Sequence, residues 1–166
     1  MKLVNSEGEM RRPFVWLEIN RRYLLYNVEQ MKKLTRGSKI MAVLKSNAYG
    51  TGCVGIAEAI QNNVDAFGVV GVAEALLIRR AGIRTPIINL GIYSGDDARS
   101  LLENEISPTI FTISTLNNFV SETEKLGRPG RVWVKVDTGL NRLGIPYTEA
   151  SNFIDTVSQS KNISID

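Results

Sequence analysis

Short apolar runs alternate with longer stretches whose apolar residues recur every three or four positions. The runs Ile40–Leu44, Ala66–Val70, Pro86–Leu90, Pro108–Phe111 and Val132–Val136 predict buried strands, and Ile163–Asp166 begins another. Between them, helical spacing predicts helices over Val54–Gln61, Ala73–Ala81 (stopped by Gly82), Gly95–Asn104, Ser114 (as cap) to about Leu126, and Tyr147–Ser160. Asp96 and Asp97 fall in the first turn of the third of these, where carboxylates favour the positive end of the helix dipole. Ahead of this rhythm, Trp16–Ile19 reads as a short strand. Asn20 then caps a helix whose stripe is Leu24, Val28 and Met31, widened by Leu25 and Leu34 and ended by Gly37.

Buried strands alternating with amphipathic helices predict a parallel sheet with right-handed crossovers. The pattern gives about five parallel strands plus the start of a sixth. Five would suit a flavodoxin-like sheet, whereas a complete (β/α)8 barrel takes about 250 residues. A nascent strand at the end favours a partial (β/α)8 TIM-type barrel. Residues 1–12 read as a loose tail, and 13–166 as one domain.

Composition narrows the class. The 166 residues are 43% hydrophobic and 22% charged, which is globular. A net charge of +3, with scattered basic residues, argues against a nucleic-acid surface. No apolar run approaches the roughly 18 residues of a membrane span, and Met1–Arg12 lacks the apolar block of a signal peptide. One cysteine, Cys53, allows no internal disulfide and suits the cytoplasm. There is no histidine, so Ser-His-Asp and Cys-His nucleophiles and histidine-based zinc sites are excluded, and no metal site is expected.

The remaining candidates gather at strand ends. Lys45 closes the first core strand and precedes Ser46-Asn-Ala-Tyr-Gly50, a loop-like stretch. A lysine so placed can attack a carbonyl. Strand alternation puts Met41, Val43 and Lys45 on one face, and Trp133, Lys135 and Asp137 on one face of a later strand, with Val132, Val134 and Val136 toward the helices. Both lysines would then point into one interior, near the strand ends where such folds place active sites. The alternative is that each snorkels to water at a rim. In Asp137-Thr-Gly-Leu-Asn-Arg-Leu-Gly144, Arg142 offers paired donors for a carboxylate, phosphate or phenolate, or is simply a surface arginine on a βα loop. Tyr49 and Asn47 could bind a phosphate, or serve ordinary turn chemistry. Cys53 reads as an inert packed thiol. Tyr93 and Tyr147 could sit on loops at the same end. No Walker or Rossmann glycine motif is present in its proper context.

Three segments together resemble the N-terminal part of a fold-type III alanine racemase dependent on pyridoxal phosphate (PLP). Arg12-Pro-Phe-Val-Trp-Leu-Glu-Ile-Asn20 resembles the family's opening, Ala42-Val-Leu-Lys-Ser-Asn-Ala-Tyr-Gly50 its PLP-lysine motif, and Lys135-Val-Asp-Thr-Gly-Leu-Asn-Arg-Leu-Gly144 its barrel-interior motif. Their order and spacing agree over roughly residues 12–166. The chain departs from the family with Thr51 where His is usual and Leu140-Asn141 where Met-Gly is common.

The resemblance implies roles. Lys45 would hold PLP covalently and act as base on one face of the substrate. Tyr49 would hydrogen-bond the cofactor phosphate. Arg142 would approach the phenolic oxygen of PLP and the substrate carboxylate. Lys135 matches a lysine carbamylated in some members, and the modification would turn a like-charge pair with Arg142 into an ion pair. The opposite-face tyrosine would come from the C-terminal domain of a partner subunit. The family's remaining barrel and β-rich C-terminal domain lie beyond this sequence, so the chain is expected to associate as a homo-oligomer and to racemise poorly or not at all. The implied reaction interconverts L- and D-alanine, supplying D-alanine for cell wall. A racemase of another amino acid, a non-catalytic PLP-binding module and a cofactor-free assembly fragment are the alternatives.

Overall fold

A computed structural model of the chain describes residues 15–166. Residues 1–12, the expected tail, and the start of the Arg12–Asn20 segment lie outside the described residues. The first described element is α1 (Arg21–Leu34). The Asn20 side chain caps it, accepting N–H bonds from Arg22 at 2.9 Å and Tyr23 at 3.3 Å. Leu24, Leu25 and Val28 pack onto the core, while Met31 and Leu34 are exposed, so the buried stripe is narrower than its spacing predicts. The helix stops at Leu34, before Gly37, which takes φ +89° beyond the end. Trp16–Ile19 is not a strand. Its residues are exposed, and the Trp16 indole donates to Glu18 Oε1 at 2.8 Å.

The core is a parallel sheet of six strands: β1 (Met41–Val43), β2 (Ala66–Val69), β3 (Ile87–Asn89), β4 (Ile106–Ile110), β5 (Gly130–Val134) and β8 (Ile163–Ile165), in that spatial order. A separate two-stranded ladder pairs β6 (Val136–Asp137) with β7 (Ile145–Pro146). Helices α3 (Cys53–Ile60), α4 (Val72–Arg80), α5 (Gly95–Glu103), α6 (Ile113–Leu126) and α7 (Ala150–Ser158) alternate with the strands.

Register sorts the side chains into two faces. Phe67, Val69, Ile87, Ile106, Ile110 and Val132 form one, all buried with Ala57, Ile78, Leu101 and Phe119 from the helices. The other face is formed by Met41, Val43, Gly68, Ile88, Ser107, Thr109 and Trp133. Gly68 is needed there because a Cβ would stand 2.9 Å from both Met41 Sδ and Leu90 Cδ1, which cross over it. On this face Ile88 and Thr109 are buried while Val43 and Trp133 stay 40% and 36% exposed, so it is only partly covered, unlike the helix-packed face.

Several boundaries move from their sequence expectation. α6 is capped by Thr112, whose Oγ1 accepts the Thr115 N–H at 3.2 Å, rather than by Ser114. β4 starts at Ile106 because that residue pairs with Ile87 and is buried. The predicted helix from Tyr147 opens as a 3-10 turn, Tyr147–Glu149, before α7. The strand expected over Val132–Val136 divides at Lys135 into β5 and β6. For α5 the expectation holds: Ser94 and Asp97 close a reciprocal capping box, with Asp96 in the same turn.

Candidate active site

β1 stops at Val43, and its continuation is held by the Leu44 N–H donating to Gly68 O at 2.7 Å. The chain then enters α2 (Lys45–Tyr49), a single tight turn in place of the expected loop. Ser46, Asn47, Ala48 and Tyr49 all have φ between +52° and +55°. Left-handed backbone costs roughly 1–2 kcal/mol per non-glycine residue, less for Asn. The three residues other than Asn47 therefore store roughly 3–6 kcal/mol. The turn is retained by its surroundings. The Ala48 N–H donates to Leu44 O at 2.8 Å, and Ala48 is buried. The Asn47 Oδ1 accepts the Cys53 N–H at 2.9 Å, satisfying the first amide of α3. The Asn47 N–H donates to Glu74 Oε1 at 2.8 Å.

This turn places Lys45 and Tyr49 on one side of itself, with Lys45 Nζ 5.8 Å from the centre of the Tyr49 ring. Lys45 is half-buried and Tyr49 is 67% exposed. A cationic or nucleophilic amine and a phenol thus stand together at the C-terminal end of β1. Asn47 is occupied with turn chemistry through both its amide and its side chain. Cys53 is buried at the first position of α3, as a packed thiol would be.

The second cluster lies at the end of β5. Lys135 is half-buried and keeps step with β4 by donating its N–H to Ile110 O at 3.0 Å. Asp137 follows at the end of β6, and its Oδ1 accepts the N–H groups of Gly139 at 2.9 Å and Asn141 at 3.1 Å. These two backbone donors hold its carboxyl below the usual carboxylate range, with the nearby Lys135 charge adding a smaller push. Asp137 thereby gathers the loop that carries Arg142. Gly144 closes this loop with φ +134°, where any Cβ would meet the Asp137 nitrogen at 2.6 Å. Arg142 itself is exposed and forms no ion pair with the described residues.

The two clusters share one end of the sheet, and no hydrogen bond or ion pair joins them among the described residues. β1 and β5 are four strand spacings apart, or roughly 19 Å along the curved sheet. The structure thus brings Lys45 to Tyr49, and Lys135 to Asp137, without joining the pairs directly. Asp137 and Glu74 were not singled out by sequence reasoning as organisers of these loops. For Asp137 a signal existed, since Asp two residues before Gly favours an Asx turn; Glu74 acts across 27 residues and left none. Tyr93 does not join either cluster: it is buried, its hydroxyl donates to Thr115 O at 3.0 Å, and burial pushes its phenol up. Tyr147 is exposed at the start of the 3-10 turn.

A parallel six-stranded βα sheet bearing a lysine at the tip of its first strand and an arginine loop beyond its fifth belongs to the barrel-like βα class of fold, whose members place active sites at the C-terminal strand ends. The family model for the alanine racemase N-terminal domain matches residues 19–166, and the chain belongs to that family. The alanine racemase of Pectobacterium atrosepticum is 38% identical over 146 residues, covering 87% of this chain and 40% of that protein. Among solved structures, the alanine racemase of Clostridium difficile 630 in complex with cycloserine superposes with a TM-score of 0.82 at 30% identity, covering 89% of this chain and 40% of that one. The histidine racemase of Leuconostoc mesenteroides gives 0.79 at 30% identity, over 86% and 39%. The chain spans about 40% of the length of the relatives it matches. No described helix is long and apolar enough to cross a membrane.

Proposed function

We propose that this chain is the cofactor-holding portion of a PLP-dependent alanine racemase, with residues 13–166 forming the N-terminal part of its barrel. The observation that carries the reading is the juxtaposition of Lys45 and Tyr49 on a turn that the backbone adopts only at a cost. The donor set fits the group: a primary amine suits its aldehyde, and a phenol beside that amine suits its phosphate. When bound, PLP supplies the electron sink that allows an amino acid Cα–H bond to break.

The chain's own residues then divide the work. Lys45 Nζ anchors the cofactor and moves the Cα proton on one face. The Tyr49 hydroxyl donates to the phosphate. Arg142 presents two fixed donors to the substrate carboxylate from a loop that Asp137 holds in shape. Lys135 sits beside Asp137, and a carbamate on Lys135 would offer Arg142 an anionic partner. Racemisation needs proton transfer on both faces, and in the family the second group comes from the C-terminal domain, so residues 13–166 taken by themselves would bind cofactor without efficient turnover. Alanine is the substrate named for most of the relatives. The likeness to a histidine racemase supports a second reading, in which the substrate is another amino acid.

Association with a second copy is supported by the exposed Val43 and Trp133 on one face of the sheet and by the edge of β1, which has a single sheet neighbour among the described residues. The cytoplasm suits the single thiol.

The test is to incubate the purified chain with PLP and record its visible absorbance, then assay D-alanine formed from L-alanine. A visible band with little or no racemisation supports the reading. Robust turnover overturns the claim of incompetence, and absence of any band overturns cofactor binding.

A further inference from the structure

The Glu74 carboxylate joins two places that are far apart in sequence. Its Oε2 accepts the Gly71 N–H at 3.3 Å, closing the first turn of α4. Its Oε1 accepts the Asn47 N–H at 2.8 Å, in the middle of the left-handed turn. A carboxylate is well suited to this place: it lies at the positive end of α4 and accepts two backbone donors at once. Asn47 is also the residue whose side chain caps α3. One acid therefore ties the turn to α4, and the turn's own asparagine ties it to α3.

We propose that Glu74 is a positioning residue for Lys45: by holding the Asn47 amide, it keeps Ser46–Tyr49 left-handed and so keeps the Lys45 amine beside Tyr49. This rests on the reading of Lys45 as the cofactor lysine. Four left-handed non-glycine residues have a ready escape into ordinary loop conformations once a restraint is lost. Lys45 opens the turn and Tyr49 closes it, so relaxation between them separates their side chains. Glu74 touches neither, and acts through the backbone.

The test compares Glu74→Ala, Glu74→Gln and the double variant Glu74→Ala/Ser46→Gly. Ser46 is exposed with φ +54°, so glycine there lowers the cost of the left-handed turn without removing a packed side chain. Amide exchange is read by NMR at Asn47 and at the core positions Val69 and Ile78. The yield of borohydride-trapped adduct at Lys45 is read by mass spectrometry, with PLP as the probe.

In Glu74→Ala the Asn47 amide exchanges at least tenfold faster, the Lys45 adduct falls at least fivefold, and Val69 and Ile78 keep their protection. Glu74→Gln, which retains one accepting oxygen, falls between Ala and the parent. Ser46→Gly restores at least half of both losses. Unchanged exchange at Asn47, or an unchanged adduct despite faster exchange, overturns the proposal. So does loss of protection at Val69 and Ile78 together with Asn47 and without rescue by Ser46→Gly, which would make Glu74 a general stabiliser. If the parent chain forms no adduct at Lys45, the cofactor reading fails by itself, and the Asn47 exchange rates alone decide whether Glu74 holds the turn.

Discussion

Replacing Asn47 separates two effects that coincide at one residue. Asn47 has φ +53°, and its Oδ1 accepts the Cys53 N–H at 2.9 Å. Asn47→Ala removes the acceptor and puts a residue with a Cβ and no local compensation into left-handed backbone. Losing the acceptor resembles losing a helix cap, about 1 kcal/mol. The conformational cost adds about 1 kcal/mol. The sum, about 2 kcal/mol, shifts a urea midpoint by about 1 M for a chain with m near 2 kcal/mol/M. Asn47→Gly loses the same acceptor but occupies positive φ freely, so it should recover about 1 kcal/mol relative to Ala despite its more flexible unfolded chain. The assay is urea unfolding followed by circular dichroism for the parent and both variants, with amide exchange at Cys53 reporting the lost acceptor. Equal midpoints for Ala and Gly would refute the left-handed turn. A Cys53 amide as protected in both variants as in the parent would refute the capping contact.

Asp137 has a carboxyl held below its ordinary value, so its restraint on the 138–144 loop is complete above about pH 4, the unfolded carboxyl range, and is lost as pH falls through the lower folded value; the protection of the Gly139 and Asn141 amides, taken relative to their intrinsic pH-dependent exchange, should fall only in acid, and a loss of protection already at neutral pH would contradict this. Gly144→Ala forces a Cβ onto the Asp137 nitrogen and a residue into φ +134°, so trypsin should cut after Arg142 several-fold faster than in the parent, with the overall fold retained. Phe119 is fully buried on the helix-packed side of the sheet, and Phe119→Ala should cost about 3–5 kcal/mol in urea unfolding.

Much of the sheet was legible because most strands write a compact apolar run, as in Ala66–Val69, and each helix a 3.6-residue stripe, as in Ala98, Leu101 and Leu102 along α5. The Ser94–Asp97 box was legible in part through its acids, since capping is a local matter. The failures are long-range. Trp16–Ile19 has strand composition but pairs with no strand among the described residues. Thr112 and Ser114 are chemically equal caps, and where the chain leaves β4 chooses between them. Lys45 stands out in the sequence as a candidate from its place after an apolar run. Its left-handed setting does not, because Ser, Ala and Tyr carry no preference for positive φ and the restraint from Glu74 comes from another βα unit.

The central claim is that Lys45 is the amine that receives the cofactor, and one measurement addresses it directly. The chain is incubated with PLP, reduced with borohydride, digested and mapped by mass spectrometry beside Lys45→Ala. A single dominant adduct on Lys45 is expected, and it should disappear in the variant while the fold remains. An adduct spread evenly over Lys39, Lys135 and other lysines, or one undiminished in Lys45→Ala, would contradict it.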